Sequence, residues 1–207
     1  MVEDTLKLAL SKNYPMIIIF TVVLVTMRLV YLITKKQKFV LYKELFLLTF
    51  LLYSLVLFYV VTFQDINYGT NNFVPFHEIM RYEFGSSYFV HNILGNIIMF
   101  IPFGFFVSTI MKSKNPLPDL FVSLVTSVVI EFTQYKIGRT VDIDDIILNM
   151  LGAFLGYIIF VILYSISEKL PEFTKKDWFR NILIIIVFGL LAFAYYNIEL
   201  WGIIRWI

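Results

Sequence analysis

The 207-residue chain contains no cysteine. That excludes a disulfide framework, a thiolate metal site, a cysteine nucleophile and any prenyl or palmitoyl anchor. The chain is also poor in charge. Only 15% of its residues are Asp, Glu, Lys or Arg, against about 25% in a soluble domain. With 59% hydrophobic residues and a mean hydropathy of +0.81, too few charges remain to coat a soluble globule. A cytosolic domain and a disordered chain are set aside, and a polytopic membrane protein is indicated. Neither sign of charge dominates: the net charge is +2. No basic run with interleaved aromatics is present, so no nucleic-acid partner is expected. The N-terminal MVEDTLKLALSKNYP lacks a basic n-region, and the apolar run after it lacks an A-x-A-like cleavage site. It reads as a retained first span rather than a cleaved signal.

What the chain has instead is long apolar runs. Six stretches are long enough to span a bilayer. They run from about Pro15 to Ile33, Leu45 to Phe63, His91 to Met111, Leu120 to Tyr135, Ile146 to Ile166 and Ile182 to Ile198. The expected fold is an all-α polytopic helical membrane bundle of about six transmembrane helices. Basic residues orient it. Ten lie in the connections after the first, third and fifth spans, and six lie on the other side. The positive-inside rule then places the Lys-rich loops in the cytoplasm and both termini outside, in a multi-pass cell-membrane protein. Arg28 falls near the cytoplasmic end of its span, where a long side chain reaches the headgroups. Trp178, Trp201, Trp206, Tyr195 and Tyr196 fall near predicted ends, as in an aromatic belt.

The few polar residues inside the spans form a pattern. Asn92 and Asn96 are four apart at the outer end of the third span, and so share a helical face. Pro102 below them interrupts the helix and predicts a kink. In the fourth span Glu131 shares a face with Gln134 and Tyr135, with Ser127 one turn below. An intramembrane carboxylate is a functional candidate by default, and its structural alternative is a pair with Arg139 or Lys136. In the fifth span Asp142, Asp145 and Asn149 follow i, i+3, i+7. Gly152 and Gly156 continue that face as a small-residue stripe, which lets a neighbouring backbone approach. Asp144 lies off the stripe and reads as a helix cap. All three faces sit at one predicted depth. Their simplest assembly is an outward-facing polar pocket of Asn92, Asn96, Glu131, Gln134, Arg139, Asp142, Asp145 and Asn149, roofed by the NNFVPFHEI loop.

NNFVPF, then NILGNIIMFIPFG, then EFTQYKIGRTVDIDDIILNMLGAFLG resembles the VanZ-like family of membrane proteins. The resemblance runs from about Asn72 to Tyr157. It rests on the ordered spacing of Asn96, Pro102 and Gly104, then Glu131 and Gln134, then Arg139, Asp142, Asp145, Asn149 and Gly152. It implies a VanZ-like core over about 64–166, preceded by a segment 1–14 and two spans over 15–63, and followed by a loop, the last span and an aromatic tail over 167–207. The family takes its name from a protein conferring teicoplanin resistance, and its members are multi-pass. The resemblance therefore implies an envelope protein that lowers susceptibility to glycopeptide antibiotics.

Three functions follow from these residues. The first is binding or shielding of an outer-leaflet, lipid-linked cell-wall precursor or glycopeptide-related ligand. Donors on Asn, Gln and Arg139 suit acid groups, and the aspartates suit an amine. The second is a membrane enzyme, with Glu131, Asp142 and Asp145 as general acid and base. Carboxylate and amide oxygens would suit Mg²⁺ or Ca²⁺ there, but no metal or nucleophile signature is present, and no cofactor is assigned. The third is a small transporter. It ranks last, because the polar face is confined to one leaflet and no continuous route is legible. The oligomeric state is left open.

Overall fold

A computed structural model describes residues 2–63 and 71–204, with side chains for 17–60, 71–90, 92–190 and 192–194. Its helices are α1 (Val2–Thr34), α2 (Leu41–Phe63), the short α3 (His77–Arg81), α4 (Gly95–Met111), α5 (Pro116–Lys136), α6 (Ile143–Lys169) and α7 (Asp177–Ile204). A π-helical turn (Phe89–Leu94) leads into α4, and a 3₁₀ turn (Glu172–Lys175) leads into α7. No strand occurs among the described residues, and the fold is the expected all-α bundle. Six helices are long and apolar enough to cross a membrane. Asp65, the side chains of Lys7, Lys12, His91, Tyr195, Tyr196 and Trp201, and Arg205 and Trp206 lie outside the described residues. Large apolar side chains such as Ile19, Met27, Leu183 and Phe193 are exposed along α1 and α7, as lipid-facing surfaces require.

Local signals account for the boundaries of the central helices. The α4–α5 turn is short. Lys112 ends α4 in the left-handed region, with φ +52°. Asn115 caps α5 by accepting from the Leu117 N–H at 3.1 Å, and Pro116 occupies the first helical position, where a missing N–H costs nothing. The turn makes α4 and α5 antiparallel neighbours. At the other end of the bundle, α6 opens on Asp142, whose side chain accepts from the Asp144 N–H at 2.9 Å.

The tightest contact is between α4 and α6. A Cβ built on Gly152 would collide with the carbonyl oxygen of Ile97, and one on Gly156 with that of Ile101. A Cβ on Gly104 would collide with the backbone of Ala153. The two backbones touch directly, so the glycine stripe expected to admit a neighbouring helix has α4 as that neighbour. Around this pair lies a core of Phe100, Phe103, Val107, Ile130, Leu57 and Ala153. From α2, Phe46 and Phe50 stack against Phe106 at ring-centroid distances of 4.9 and 5.4 Å. The Tyr53 hydroxyl donates to the Met99 carbonyl, which pins α2 to the segment of α4 that precedes Pro102.

Arg28 does not extend to the headgroups alone, as expected. It forms a bidentate pair with Glu44 of α2, at 2.7 and 3.1 Å. A carboxylate within reach is a better partner than a long excursion through apolar surroundings. The last helix is tied at the same end, where Asn181 accepts from the Tyr42 N–H at 3.0 Å and Asp177 lies 3.3 Å from Lys43.

Replacing Gly156 by alanine should destabilise the bundle by about 1–3 kcal/mol, the cost of forcing atoms into a packed core. Gly189→Ala is the control, since a Cβ there meets nothing within 4 Å. Thermal unfolding in detergent should show a lower midpoint for Gly156→Ala alone.

Candidate functional site

Three helix ends meet at the end of the bundle opposite the Lys-rich turns, and each of three successive aspartates of α6 does a different job. Asp142 is the N-cap of its own helix. It also accepts from the Asn72 amide at 2.9 Å, while its own N–H donates to Glu131 Oε2 at 3.0 Å. Asp144 is 1% exposed and accepts three backbone N–H bonds from a distant segment: Phe76 at 2.5 Å, Glu78 at 2.8 Å and Ile79 at 3.2 Å. It is a cap, as expected, but of α3 rather than of α6. Asp145 accepts from the Asn96 amide of α4 at 2.6 Å. All three carboxylates sit where the positive end of the α6 dipole favours them.

The expected roof is a strap bound along the start of α6. Asn72 N–H donates to the Val141 carbonyl at 2.9 Å, and the Ile143 N–H donates to the Asn72 carbonyl at 3.1 Å. The Asn71 side chain accepts from the Val141 N–H at 3.0 Å. Phe76 adopts a left-handed conformation, φ +66°, which is uncommon for a bulky residue. The bonds to Asp144 from its own N–H and from those of Glu78 and Ile79 hold that conformation in place.

Of the eight expected site residues, the structure brings most together in pairs. Glu131 and Asp142 meet through a backbone bond, and Asn96 meets Asp145. Asn149 donates from its amide to Ser127 Oγ at 2.9 Å. The Gln134 carbonyl accepts from the Arg139 N–H at 2.9 Å, and Arg139 is close enough for its charge to act on Glu131 and Asp145. Lys136 instead lies over the Phe132 ring, 5.3 Å from its centroid. Asn92 departs from the expected face. It sits in the π-helical turn, whose wider step breaks the i, i+4 alignment with Asn96, and it comes within hydrogen-bonding range of the Tyr82 hydroxyl. Asp142 departs in a different way: as an N-cap it lies outside the helix, so the i, i+3, i+7 face holds only for Asp145 and Asn149.

Exposure divides the cluster. Glu131, Gln134 and Asn149 are buried, whereas Asn92, Asn96, Arg139, Asp142 and Asp145 are half-buried around them. Two buried oxygens in the deeper set, Glu131 Oε1 and Asn149 Oδ1, accept no hydrogen bond. Asp142 lies just outside the spanning segment. Burial holds its carboxyl above the usual aspartate range, against the lowering effect of the Asp144 N–H and the Asn72 amide. Among the described residues, no group of three or more His, Cys, Asp or Glu side chains is arranged to hold a metal ion.

Reading the sequence passed over two participants. Asn72 bridges the strap to Asp142, and a loop asparagine gives no periodic signal. The other is Asp119 of α5, at the Lys-rich end. It is 2% exposed, accepts from the Ser108 hydroxyl at 2.8 Å, and leaves its Oδ1 without a donor. Its place four residues before Ser123 was visible in the sequence, but it lies beyond the outer faces from which the pocket was assembled.

A bundle of six potential membrane spans, with a carboxylate-and-amide cluster buried at one end, defines a multi-pass membrane protein with a polar centre. Residues 45–164 match the family model described as VanZ/LLP1, and the chain belongs to that family. It is 32% identical over 130 residues to Protein VanZ of Enterococcus faecium, covering 61% of this chain and 77% of that protein. No solved structure matches it.

Asp144→Asn should loosen the strap. The substitution turns one accepting oxygen into a donor facing N–H groups, and a hydrogen bond to a charged group contributes about 1.5–3 kcal/mol. Amide exchange at Glu78 and Ile79 should quicken about tenfold or more, as read by hydrogen-exchange mass spectrometry of the membrane-embedded protein. Unchanged exchange would mean that something other than Asp144 holds the strap.

Proposed function

We propose that this protein lowers susceptibility to teicoplanin-type glycopeptides by binding or shielding an outer-leaflet ligand at the α4–α5–α6 cluster. The ligand class is a lipid-linked cell-wall precursor bearing both amine and acid groups. The observation that carries this reading is that a carboxyl and a guanidinium stand half-buried in one cluster. Asp145 and Arg139 stand at the border of the cluster, one suited to an amine and the other, by its planar fork, to a carboxylate or phosphate. Membership of the VanZ/LLP1 family and likeness to Protein VanZ support an envelope role. In this reading the Lys-rich turns face the cytoplasm, both termini lie outside, and the cluster opens toward the cell wall.

Expression in a teicoplanin-sensitive host should raise the inhibitory concentration. Asp145→Asn and Arg139→Ala should each return it toward the sensitive value. Loss of one charge-assisted bond corresponds to about a tenfold loss of ligand affinity. Unchanged sensitivity on expression of the wild type would overturn the reading. A change in an envelope lipid species, seen by mass spectrometry and lost in Glu131→Gln, would replace binding by catalysis.

Orientation has its own test, since a chain with 0 cysteines accepts single reporters cleanly. A cysteine at Lys136 should react with an impermeant maleimide added to intact cells, and one at Lys112 only after the membrane is opened. The reverse pattern would turn the cluster toward the cytoplasm.

A further inference from the structure

The face of α5 that points into the bundle is polar along almost its whole length. Asp119, Ser123, Ser127 and Glu131 recur every four residues, and each is no more than 3% exposed. A spacing of four drifts by about 40° per step on an α-helix, so the line winds. The contacts follow that winding. Asp119 meets Ser108 of α4, Ser127 meets Asn149 of α6, and Glu131 meets the first turn of α6. The seam begins in the first turn of α5 at the Lys-rich end and finishes in the cluster at the other end, about 18 Å away along the helix axis. The expectation that polar residues are confined to one leaflet is therefore wrong. The line changes helical neighbour as it descends, so no single pair of helix faces contains it.

Close packing accounts for the serines by themselves, since small hydroxyl residues suit helix interfaces and Ser123 satisfies its own proton on the Asp119 carbonyl at 2.9 Å. Packing does not account for a buried carboxyl at each end. Nor does it account for three buried oxygens left without a donor: Asp119 Oδ1, Glu131 Oε1 and, from the facing helix, Asn149 Oδ1 beside Ser127. The two carboxyl oxygens are satisfied by an added proton or by a water O–H, and the amide oxygen by a water O–H alone.

We propose that the α5 seam conducts protons between the two faces of the membrane, with Glu131 and Asp119 as its terminal carriers. The Glu131 carboxyl gives its O–H proton to the adjoining oxygen. Each hydroxyl in turn takes a proton on a lone pair and releases its own, Ser123 after its O–H turns from the Asp119 carbonyl toward the next oxygen of the seam. The Asp119 carboxylate takes the last one and passes it to water at its face, and Glu131 is recharged from water at the other. No bond other than O–H is made or broken, and one proton crosses per cycle. Successive seam positions are about 6 Å apart along the axis, the span of one bridging water with two hydrogen bonds. Water is thus the co-reactant. The ligand reading does not depend on Asp119 or Ser123, so the two proposals fail separately.

The test uses the full chain in phosphatidylethanolamine–phosphatidylglycerol vesicles containing a pH-sensitive dye, with a potassium potential set by valinomycin. Wild-type vesicles should change internal pH about tenfold faster than protein-free ones, and Asp119→Asn and the double variant Ser123→Ala/Ser127→Ala should each lose most of that excess. Glu168→Gln, an exposed carboxyl at the same end as Asp119 but off the seam, should keep it. Circular dichroism melts identify any variant that fails to fold. If Asp119→Asn is one, the serine double variant and Asp119→Glu, which keeps the carboxyl and should keep the flux, decide the matter. Wild-type flux equal to that of protein-free vesicles, or full flux in the folded seam variants, overturns the proposal.

Discussion

The direct backbone contact between α4 and α6 is the constraint on which the rest of the structure depends. A side chain at Gly104, Gly152 or Gly156 would push the two helices apart. With them touching, the helix ends are close enough for a short asparagine to reach a short aspartate, and Asn96 bonds Asp145 at 2.6 Å. Beside this pair of helices packs α5, whose Ile130 enters the core and whose small serines are buried. The glycines in mid-membrane thus determine which polar groups can meet at its edge.

Polar satisfaction then decides how the cluster is built. In a bilayer the backbone has no water to turn to, so irregular segments must find partners in the protein. The strap over 71–79 is such a segment. Its N–H groups bond the Asp144 carboxylate and the Val141 carbonyl, and the first turn of α6 in turn finds acceptors in Asp142 and Asn72. The acidic run that looks like a ligand site in the sequence is therefore divided. Asp144 is wholly committed to the strap, Asp142 mostly to capping, and Asp145 bonds the Asn96 amide of α4. A cluster rich in carboxylates need not be a metal centre when backbone donors already occupy the oxygens.

How much of this was legible follows from which interactions leave a periodic trace. Span number and type came through because apolar runs of membrane length have few alternatives. The glycine face came through because spacing of four survives on a straight helix. Asn92 did not, because its helix widens into a π turn just before Asn96. The job of Asp144 was read as capping, yet its partner lies 65 to 68 residues away, and no local pattern records such a distance. Arg28 was read from its depth alone, whereas its companion Glu44 stands on the next helix and is found only once the two are packed.

The seam on α5 shows a further reason for incomplete reading. Its four members were spaced regularly, so the signal was present in the sequence. What conceals it is the small size of its two middle members. A polar side chain at the centre of a membrane helix costs less when it bonds a carbonyl one turn back or a facing amide, as Ser123 and Ser127 do, so small hydroxyls raise little suspicion singly. Two carboxyls cannot be dismissed in that way, because each has more acceptor sites than a neighbouring hydroxyl or N–H fills. Asp119 has one donor in Ser108, and Glu131 has one in the backbone of Asp142. That shared shortage, at opposite ends of one buried line, distinguishes the seam from packing. It joins the polar cluster to the Lys-rich end of the bundle through the helix that packs beside the α4–α6 contact.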